Sequence, residues 1–148
     1  MGKKKVTVIG AGNVGATCTQ RISEADLADV VLLDVIEGLA EGKALDMMQS
    51  APLMGFESEI IGTTDFAKSC GSNVIIITAG LARKPGMSRD DLLLKNAAIV
   101  KDVVLKTAPL SPDAVIIVVT NPLDVMCAVA QKYSNFTYRR VIGMAGEL

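Results

Sequence analysis

The apolar residues of this chain form short, strand-length clusters, separated by stretches in which they recur every three or four positions. Clusters rich in Val, Ile and Leu predict strands, and the helical recurrence predicts helices with one buried face. Strands are predicted at residues 5–9, 30–35, 58–63, 73–78 and 115–120, with a short sixth strand opening at Val141. Helices are predicted from about Asn13 and at 37–49, 89–107 and 124–133, with a single helical turn at 65–69.

The same spacing predicts which helical faces are buried. In the first helix the expected buried residues recur at i, i+4, i+8 and i+11, and they are Val14, Cys18, Ile22 and Ala25. In the helix at 37–49, Leu45 is expected among the apolar positions. Of the adjacent Met47 and Met48, we expect one to reach the core, because neighbouring helical residues point in different directions.

The alternation of strands and helices predicts a doubly wound α/β fold, with a parallel sheet covered on both faces. Half of the residues are hydrophobic and only 3% are aromatic, which suits a sheet of Val, Ile and Leu. We predict a single domain over residues 1–148 with strand order 3-2-1-4-5-6. In this order the strand at 73–78 is central and the less hydrophobic strand at 58–63 is an edge. A ligand then lies at the carboxyl ends of strands one and four.

A glycine motif follows the first strand. Gly10, Gly12 and Gly15 have the G-x-G-x-x-G spacing, with Ala11, Asn13 and Val14 between them. The first glycine permits a tight turn, the second lets the backbone approach a pyrophosphate, and the third lets the helix pack on the strand. The N-terminus of that helix offers an anion site.

Asp34 ends the second apolar strand, at the expected distance from the glycine motif. A carboxylate at this position accepts hydrogen bonds from the ribose hydroxyls of an adenosine and repels a 2′-phosphate. The combination of strand, glycine turn, helix and acidic residue predicts NAD rather than NADP. A packing turn without a ligand is the less favoured interpretation.

The charge, the apolar runs and the cysteines exclude several classes of protein and of binding site. The net charge is −1, so the lysines at residues 3–5 indicate a solvated leader rather than a nucleic-acid patch. The apolar runs are too short for a membrane span, and no metal-ligand spacing is present. Cys18, Cys70 and Cys127 are far apart, which is typical of reduced, mostly buried thiols in a cytoplasmic protein without a signal peptide.

Three polar features follow the later strands. Arg83 and Arg89 lie on a glycine-bearing loop after the fourth strand, which suits either a carboxylate-binding lid or a solvated basic loop. Asn121, after the fifth strand, orients a substrate or caps the next helix. Asn96, on an apolar helix face, is either a satisfied core amide or a cofactor contact.

Taken together, these segments resemble the malate/lactate dehydrogenase family, and among its members the lactate-dehydrogenase-like malate dehydrogenases best. The resemblance covers essentially the whole chain, in order and spacing. The segments that carry it are residues 10–15, Asp34, 42–46, 78–80, 83–89, Asn96, 120–124 and 141–146.

The resemblance implies a role for each matching residue. Residues 10–15 hold the NAD pyrophosphate, Asp34 holds the adenosine ribose, and Asn96 and the backbone at Val119 contact the cofactor. Arg83 pairs with the distal carboxylate of a four-carbon dicarboxylate. Arg89 closes over the site and polarises the reacting carbonyl, and Asn121 hydrogen-bonds the substrate and borders the cofactor.

The resemblance also implies a partner domain. The family's general-base histidine lies in a second domain, and this chain contains no histidine. We therefore expect the NAD-binding half of a malate dehydrogenase, with the catalytic domain absent, that binds NAD(H) without catalysis. The family also implies a homodimer or homotetramer in contact through the helix at 38–49. The alternatives are half of a lactate or other 2-hydroxyacid dehydrogenase, and a stand-alone nucleotide-binding module.

Overall fold

A computed structural model of the protein describes residues 3–82 and 85–144. Its centre is a six-stranded parallel sheet in the order β3-β2-β1-β4-β5-β6. The strands are β1 (Lys5–Ile9), β2 (Asp29–Leu33), β3 (Ile60–Thr63), β4 (Val74–Ile77), β5 (Val115–Val118) and β6 (Val141–Gly143). The predicted order is confirmed, with β1 and β4 at the centre and β3 at an edge.

Four α-helices connect the strands in the described part of the chain. They are α1 (Asn13–Glu24), α2 (Leu39–Met54), α3 (Arg89–Thr107) and α4 (Leu123–Ser134). The 3-10 turn Phe66–Ser69 lies where a single helical turn was predicted, and Asp65 caps it by accepting a 2.9 Å hydrogen bond from the Ala67 N–H. The predicted doubly wound α/β fold is therefore confirmed.

Two apolar clusters cover the two faces of the sheet, because successive strand residues point in opposite directions. Val6 and Val8 of β1 face the cluster that also contains Ala40 of α2, with Cys18 and Ile22 of α1 packed against it. Ile9 faces the other cluster, which includes Val100 and Val104 of α3 and Met126 and Ala130 of α4. Ile9 and Leu33, at the carboxyl ends of β1 and β2, also line a cavity.

The predicted buried face of α1 is confirmed for Cys18 and Ile22, which pack against the core, and wrong for Val14 and Ala25. Gly15, Thr19 and Ser23 are buried, whereas Val14 is 59% exposed and Ala25 is exposed. Small side chains at 15, 19 and 23 let the helix lie close to the sheet. Cys18 and Ile22 each come one position before a buried residue, and their side chains contact the core at its edge.

The predicted bounds of β2 and α2 also need correction. Strand β2 ends at Leu33, two residues early, because Asp34 turns its carboxylate back to accept from the Ile36 N–H. Helix α2 continues through Pro52 to Met54, past the predicted end at 49. It ends at Gly55, whose left-handed backbone (φ 77°) donates its N–H to the Ala51 carbonyl.

The side chains of α2 also differ from expectation. Leu45 is 61% exposed instead of packing inward. Met47 and Met48 both pack against the small cluster of Ala44, Ala51, Phe56 and Ile60, so the expectation that only one reaches the core is wrong. Flexible thioether side chains reach a common cluster from adjacent helical positions.

The prediction about the cysteines is corrected as well. Cys70 is exposed, and Cys18 and Cys127 are half-buried, so the thiols are not mostly buried. Burial raises the pKa of the Cys18 thiol, and burial together with Asp124 raises that of Cys127. Lys3 and Lys4 are exposed to solvent, as predicted, although Lys3 also pairs with Asp26 at 3.3 Å. Within residues 3–82 and 85–144, no helix is both long and apolar enough to cross a membrane.

Candidate dinucleotide site

The turn after β1 needs glycine at its first position. Gly10 has a φ of 103°, and a side chain there would lie 2.8 Å from the Ala79 nitrogen. The turn is fixed by the Thr78 hydroxyl, which donates to the carbonyls of Ile9 and Gly10 at 3.0 and 3.1 Å. Gly10 thus lets the β1 and β4 strand ends meet with only backbone between them.

The other two glycines have different surroundings. A side chain at Gly15 would overlap the Gly10 carbonyl oxygen, so this glycine lets α1 start directly against the turn. Nothing lies within 4 Å of the Cβ position of Gly12, which is exposed. The backbone at Gly12 is therefore bare on the side that a ligand would approach.

The first turn of α1 has the properties of an anion site. Its N-cap is Gly12, no side chain caps the helix, and the first turn holds no acidic residue. The N–H groups at the start of the helix and its positive dipole end therefore face outward without a protein carboxylate.

Asp34 lies beside this turn. Its Oδ2 accepts a 2.6 Å hydrogen bond from the Ala11 N–H, and its Oδ1 accepts a 3.1 Å bond from the Ile36 N–H. Lys43 of α2 donates to the carbonyl of the same Ala11 at 2.6 Å. The carboxylate is thus held in place by backbone, and its remaining lone pairs are available to a ligand.

These groups open onto a cavity of about 580 Å³ at the carboxyl ends of β1, β2 and β4. Asp34 and Asp102 are its charged lining residues, and Asp102 accepts a 2.7 Å bond from Lys106. The rest of the lining is apolar, glycine or threonine, including Val35, Ile36, Leu39, Phe66, Ala98 and Ile99. The volume lies within the range of small-molecule sites, and the apolar walls suit a flat base.

The arrangement fits the adenosine diphosphate part of a dinucleotide. The apolar walls suit a flat base, the remaining lone pairs of Asp34 suit hydroxyl donors, and the bare Gly12 backbone at the α1 N-terminus suits an anion. Of the predicted site residues, Gly10, Gly12 and Asp34 line the cavity, whereas Ala11, Asn13, Val14 and Gly15 continue the turn into α1.

A second group of predicted residues meets at the ends of β4 and β5. The amide of Asn96 is 2% exposed and accepts from the Leu81 N–H at 2.8 Å while donating to the Asn121 carbonyl at 2.8 Å. Asn96 therefore ties the loop after β4 to the loop after β5. Of its two interpretations, the satisfied amide is what the structure shows, and a contact with the cofactor stays a prediction.

The neighbouring backbone is similarly fixed. The Thr120 hydroxyl donates to the Ala79 carbonyl at 2.7 Å, and a side chain at Gly80 would meet Thr120 at 2.6 Å. The Val119 N–H donates to the Ile77 carbonyl at 2.9 Å, so of its backbone groups the carbonyl is the one left for a ligand. Asn121 is exposed and does not cap α4, whose N-cap is Pro122.

The two arginines are placed differently. Arg83 lies outside the described residues, and its role stays a prediction. Arg89 is the exposed first residue of α3. On either side of it, the N-cap Ser88 and Asp91 form a capping box, and the Ser88 hydroxyl and N–H hold the pKa of Asp91 below its usual value. Asp91 is thus used in starting the helix that carries Arg89.

Two residues at this site were not predicted from the sequence. Lys43 contacts the turn from 32 residues away, and no local pattern indicates such a contact. Phe66 lies in the cavity wall although its segment predicts only a short turn. No group of three or more potential metal ligands occurs in the part of the chain that the structure describes.

Known proteins are similar to this chain in both sequence and fold. The family described as lactate/malate dehydrogenase, NAD binding domain, matches residues 4–143. A curated relative from Desulforudis audaxviator named malate dehydrogenase is 56% identical over 148 residues, which is all of this chain and 48% of that protein. The chain thus spans about half the length of the curated relatives it matches.

Two solved structures agree with this assignment. Malate dehydrogenase from Picrophilus torridus in its apo form has a TM-score of 0.92 at 47% identity, covering 98% of this chain and 46% of that one. Lactate dehydrogenase from Cryptosporidium parvum, complexed with lactic acid and nicotinamide adenine dinucleotide, has a TM-score of 0.93 at 42% identity, covering 99% and 46%. By sequence, fold and glycine turn, the chain belongs to the NAD-binding domain family of the lactate and malate dehydrogenases, and its cofactor is NAD.

Proposed function

We propose that this chain forms the cofactor-binding half of an NAD-dependent malate dehydrogenase, which transfers hydride reversibly between malate and NAD. The observation that carries the proposal is the Asp34 carboxylate, fixed by the Ala11 N–H beside the bare N-terminus of α1. Asp34 and Gly12 line the same cavity, which supports binding of the ribose and the pyrophosphate of one dinucleotide there. When bound, NAD supplies the hydride acceptor, and the chain's own residues hold and orient it.

The direct test is a calorimetric titration of the 148-residue chain with NADH and, in parallel, with NADPH. We expect saturable NADH binding and at least tenfold weaker NADPH binding, because a 2′-phosphate would meet the Asp34 carboxylate. No binding by a chain whose fold is verified by circular dichroism would contradict the proposal. Calorimetry suits this chain because it has no tryptophan to report binding.

We further propose that the 148-residue chain alone does not catalyse the reaction. It contains no histidine, and the residues proposed here to act on substrate are Arg83, Arg89 and Asn121, none of which is a general base at neutral pH. NADH formation from malate and NAD, measured by absorbance above a protein-free blank, would contradict this statement.

Malate is the proposed substrate because Arg83 offers a guanidinium to a second carboxylate, which oxaloacetate has and pyruvate lacks. The lactate alternative is favoured by the likeness to a lactate dehydrogenase structure. The test uses the longest reading frame that contains this chain, with Arg83→Gln and Lys84→Gln as its matched control. The malate assignment predicts a loss of about a hundredfold in kcat/KM for oxaloacetate in the first variant only.

A homodimer or homotetramer that forms through α2, in the cytoplasm, completes the proposal. Helix α2 carries three well-exposed apolar side chains, Leu45 (61%), Leu53 (91%) and Met54 (53%). Sedimentation velocity of the wild type and of a Leu45→Glu, Leu53→Glu double variant tests it. We expect the double variant to be smaller, and equal sizes would place the contact elsewhere.

A further inference from the structure

Lys43 contacts the glycine turn, and the proposed function gives it no role. Its ammonium donates a 2.6 Å hydrogen bond to the Ala11 carbonyl, and its side chain is half-buried. Within residues 3–82 and 85–144, Lys43 has no salt bridge, although ion pairs form elsewhere on the surface. A backbone carbonyl compensates the lysine charge less well than a carboxylate would, so positive charge remains beside the anion site.

The bonded carbonyl belongs to the peptide unit whose other end is the Gly12 N–H. A charged donor on a carbonyl polarises its peptide unit, and this makes the N–H at the other end a stronger donor. In the described residues the Gly12 N–H makes no hydrogen bond, and Gly12 lines the cavity at the start of α1. Lys43 therefore strengthens the Gly12 N–H, a donor at the cavity where a ligand would bind.

The neighbouring peptide unit is fixed as well. Asp34 accepts from the Ala11 N–H at 2.6 Å, so Ala11 is held through its N–H by β2 and through its carbonyl by α2. These two bonds set the planes of the peptide units on both sides of Ala11. The direction of the Gly12 N–H is thus determined before any ligand arrives, and a preorganised donor costs less free energy on binding.

We propose that Lys43 is a positioning residue for the pyrophosphate: it orients and polarises the Ala11–Gly12 peptide unit so that the Gly12 N–H binds phosphate oxygen. This inference rests on the proposed function, since it requires NAD(H) at the glycine turn. Lys43 acts through Ala11 and Gly12 and adds one positive charge near two phosphates.

The experiment compares Lys43→Met and Lys43→Arg with the wild-type chain. Lys5→Met is the matched control, because Lys5 also donates its ammonium to a backbone carbonyl, that of Cys70 at 2.8 Å, at the start of β1. Each protein is titrated calorimetrically with NADH and with ADP-ribose, and adenosine is measured by competition against NADH. Thermal unfolding is recorded for all of them.

Lys43→Met is expected to weaken NADH and ADP-ribose binding about tenfold, which is the usual effect of losing one charge-assisted hydrogen bond. Adenosine has no phosphate, and its affinity should stay unchanged. Lys43→Arg should restore most of the loss, and Lys5→Met should bind all three ligands like the wild type. If Lys43→Met loses its thermal transition, Lys43→Gln takes its place with the same expectations.

Two results would overturn the inference while leaving the proposed function intact. One is a Lys43→Met chain that binds NADH like Lys5→Met. The other is an equal loss for adenosine and ADP-ribose, which would make Lys43 a general support of the fold. If the wild-type chain itself fails to bind NADH, the proposed function fails and this inference fails with it.

Discussion

The Asp34 carboxylate accepts a 2.6 Å hydrogen bond from the Ala11 N–H, which joins the end of β2 to the glycine turn after β1. The two residues are 23 positions apart and lie just beyond the carboxyl ends of β1 and β2, which are neighbouring parallel strands. One carboxylate therefore holds the glycine turn and, in the proposed function, also offers acceptors to the ribose. A substitution at Asp34 is expected to affect both.

Asp34→Asn should change cofactor selectivity. It removes the charge that repels a 2′-phosphate, so we expect the ratio of NADPH to NADH affinity to rise about tenfold or more, with weaker NADH binding. The measurement is a pair of calorimetric titrations. Asp102→Asn is the control, because it removes the same charge from the same cavity. An equal shift in both variants would mean that total charge sets the selectivity, rather than the position of Asp34.

Gly15→Ala should destabilise the chain by about 3 kcal/mol, because the added methyl group would overlap the Gly10 carbonyl oxygen. Gly42→Ala is the matched control. Gly42 lies inside α2 with nothing within 4 Å of its Cβ position, so alanine there should stabilise by about 0.5–1 kcal/mol. Urea unfolding of each variant gives the change in its free energy of unfolding. A loss of stability of the same size in both variants would show that helix propensity is not the controlling factor at Gly42.

Asn96→Ala should also cost about 3 kcal/mol. The substitution leaves the Leu81 N–H and the Asn121 carbonyl without their partner at a site that is 2% exposed. The control is Asn73→Ala, which removes an exposed hydrogen bond donated by the Lys5 N–H at 3.0 Å. We expect this control to lose about 1 kcal/mol of stability. Chemical denaturation measures both. Equal losses would mean that the loops after β4 and β5 do not depend on Asn96.

The fold was predictable from sequence where the signal is local. The strand before Gly10, the helix after it and Asp34 at the next strand end lie within 30 residues, and together they indicate the sheet order and the cavity. The buried face of α1 was not predictable from hydrophobicity. Its contact with the sheet uses Gly15, Thr19 and Ser23, because close packing there favours small side chains over apolar ones.

Contacts between distant segments were not predictable either. The hydrogen bond from Lys43 to Ala11 and the bonds of Asn96 to two loops depend on how helices lie on the finished sheet. A single sequence shows only that Lys43 lies on a helix and that Asn96 interrupts an apolar face. The polar partners of each residue are determined by tertiary packing, which the pattern of apolar positions does not encode.

The last prediction concerns pH. Asp26, in the turn after α1, accepts hydrogen bonds from the Ser58 hydroxyl at 2.7 Å, the Glu57 N–H at 3.0 Å and Lys3 at 3.3 Å. The Ser58 bond, followed by those from Glu57 and Lys3, holds the pKa of Asp26 below its usual value of about 3.9. A carboxyl group whose pKa is lowered by folding stabilises the folded chain above its unfolded pKa. That contribution disappears as the pH falls through the folded pKa.

Asp26→Asn should therefore be less stable than the wild type at pH 7, and the difference should shrink as the pH falls from about 4 toward 2. Asparagine tolerates the left-handed backbone of residue 26 (φ 51°), so the substitution tests the charge rather than the turn. The measurement is urea unfolding at several pH values, with Asp46→Asn, an exposed aspartate of α2, as the control. A difference that is constant across this pH range would show that Asp26 acts by shape alone, since an uncharged contribution does not titrate.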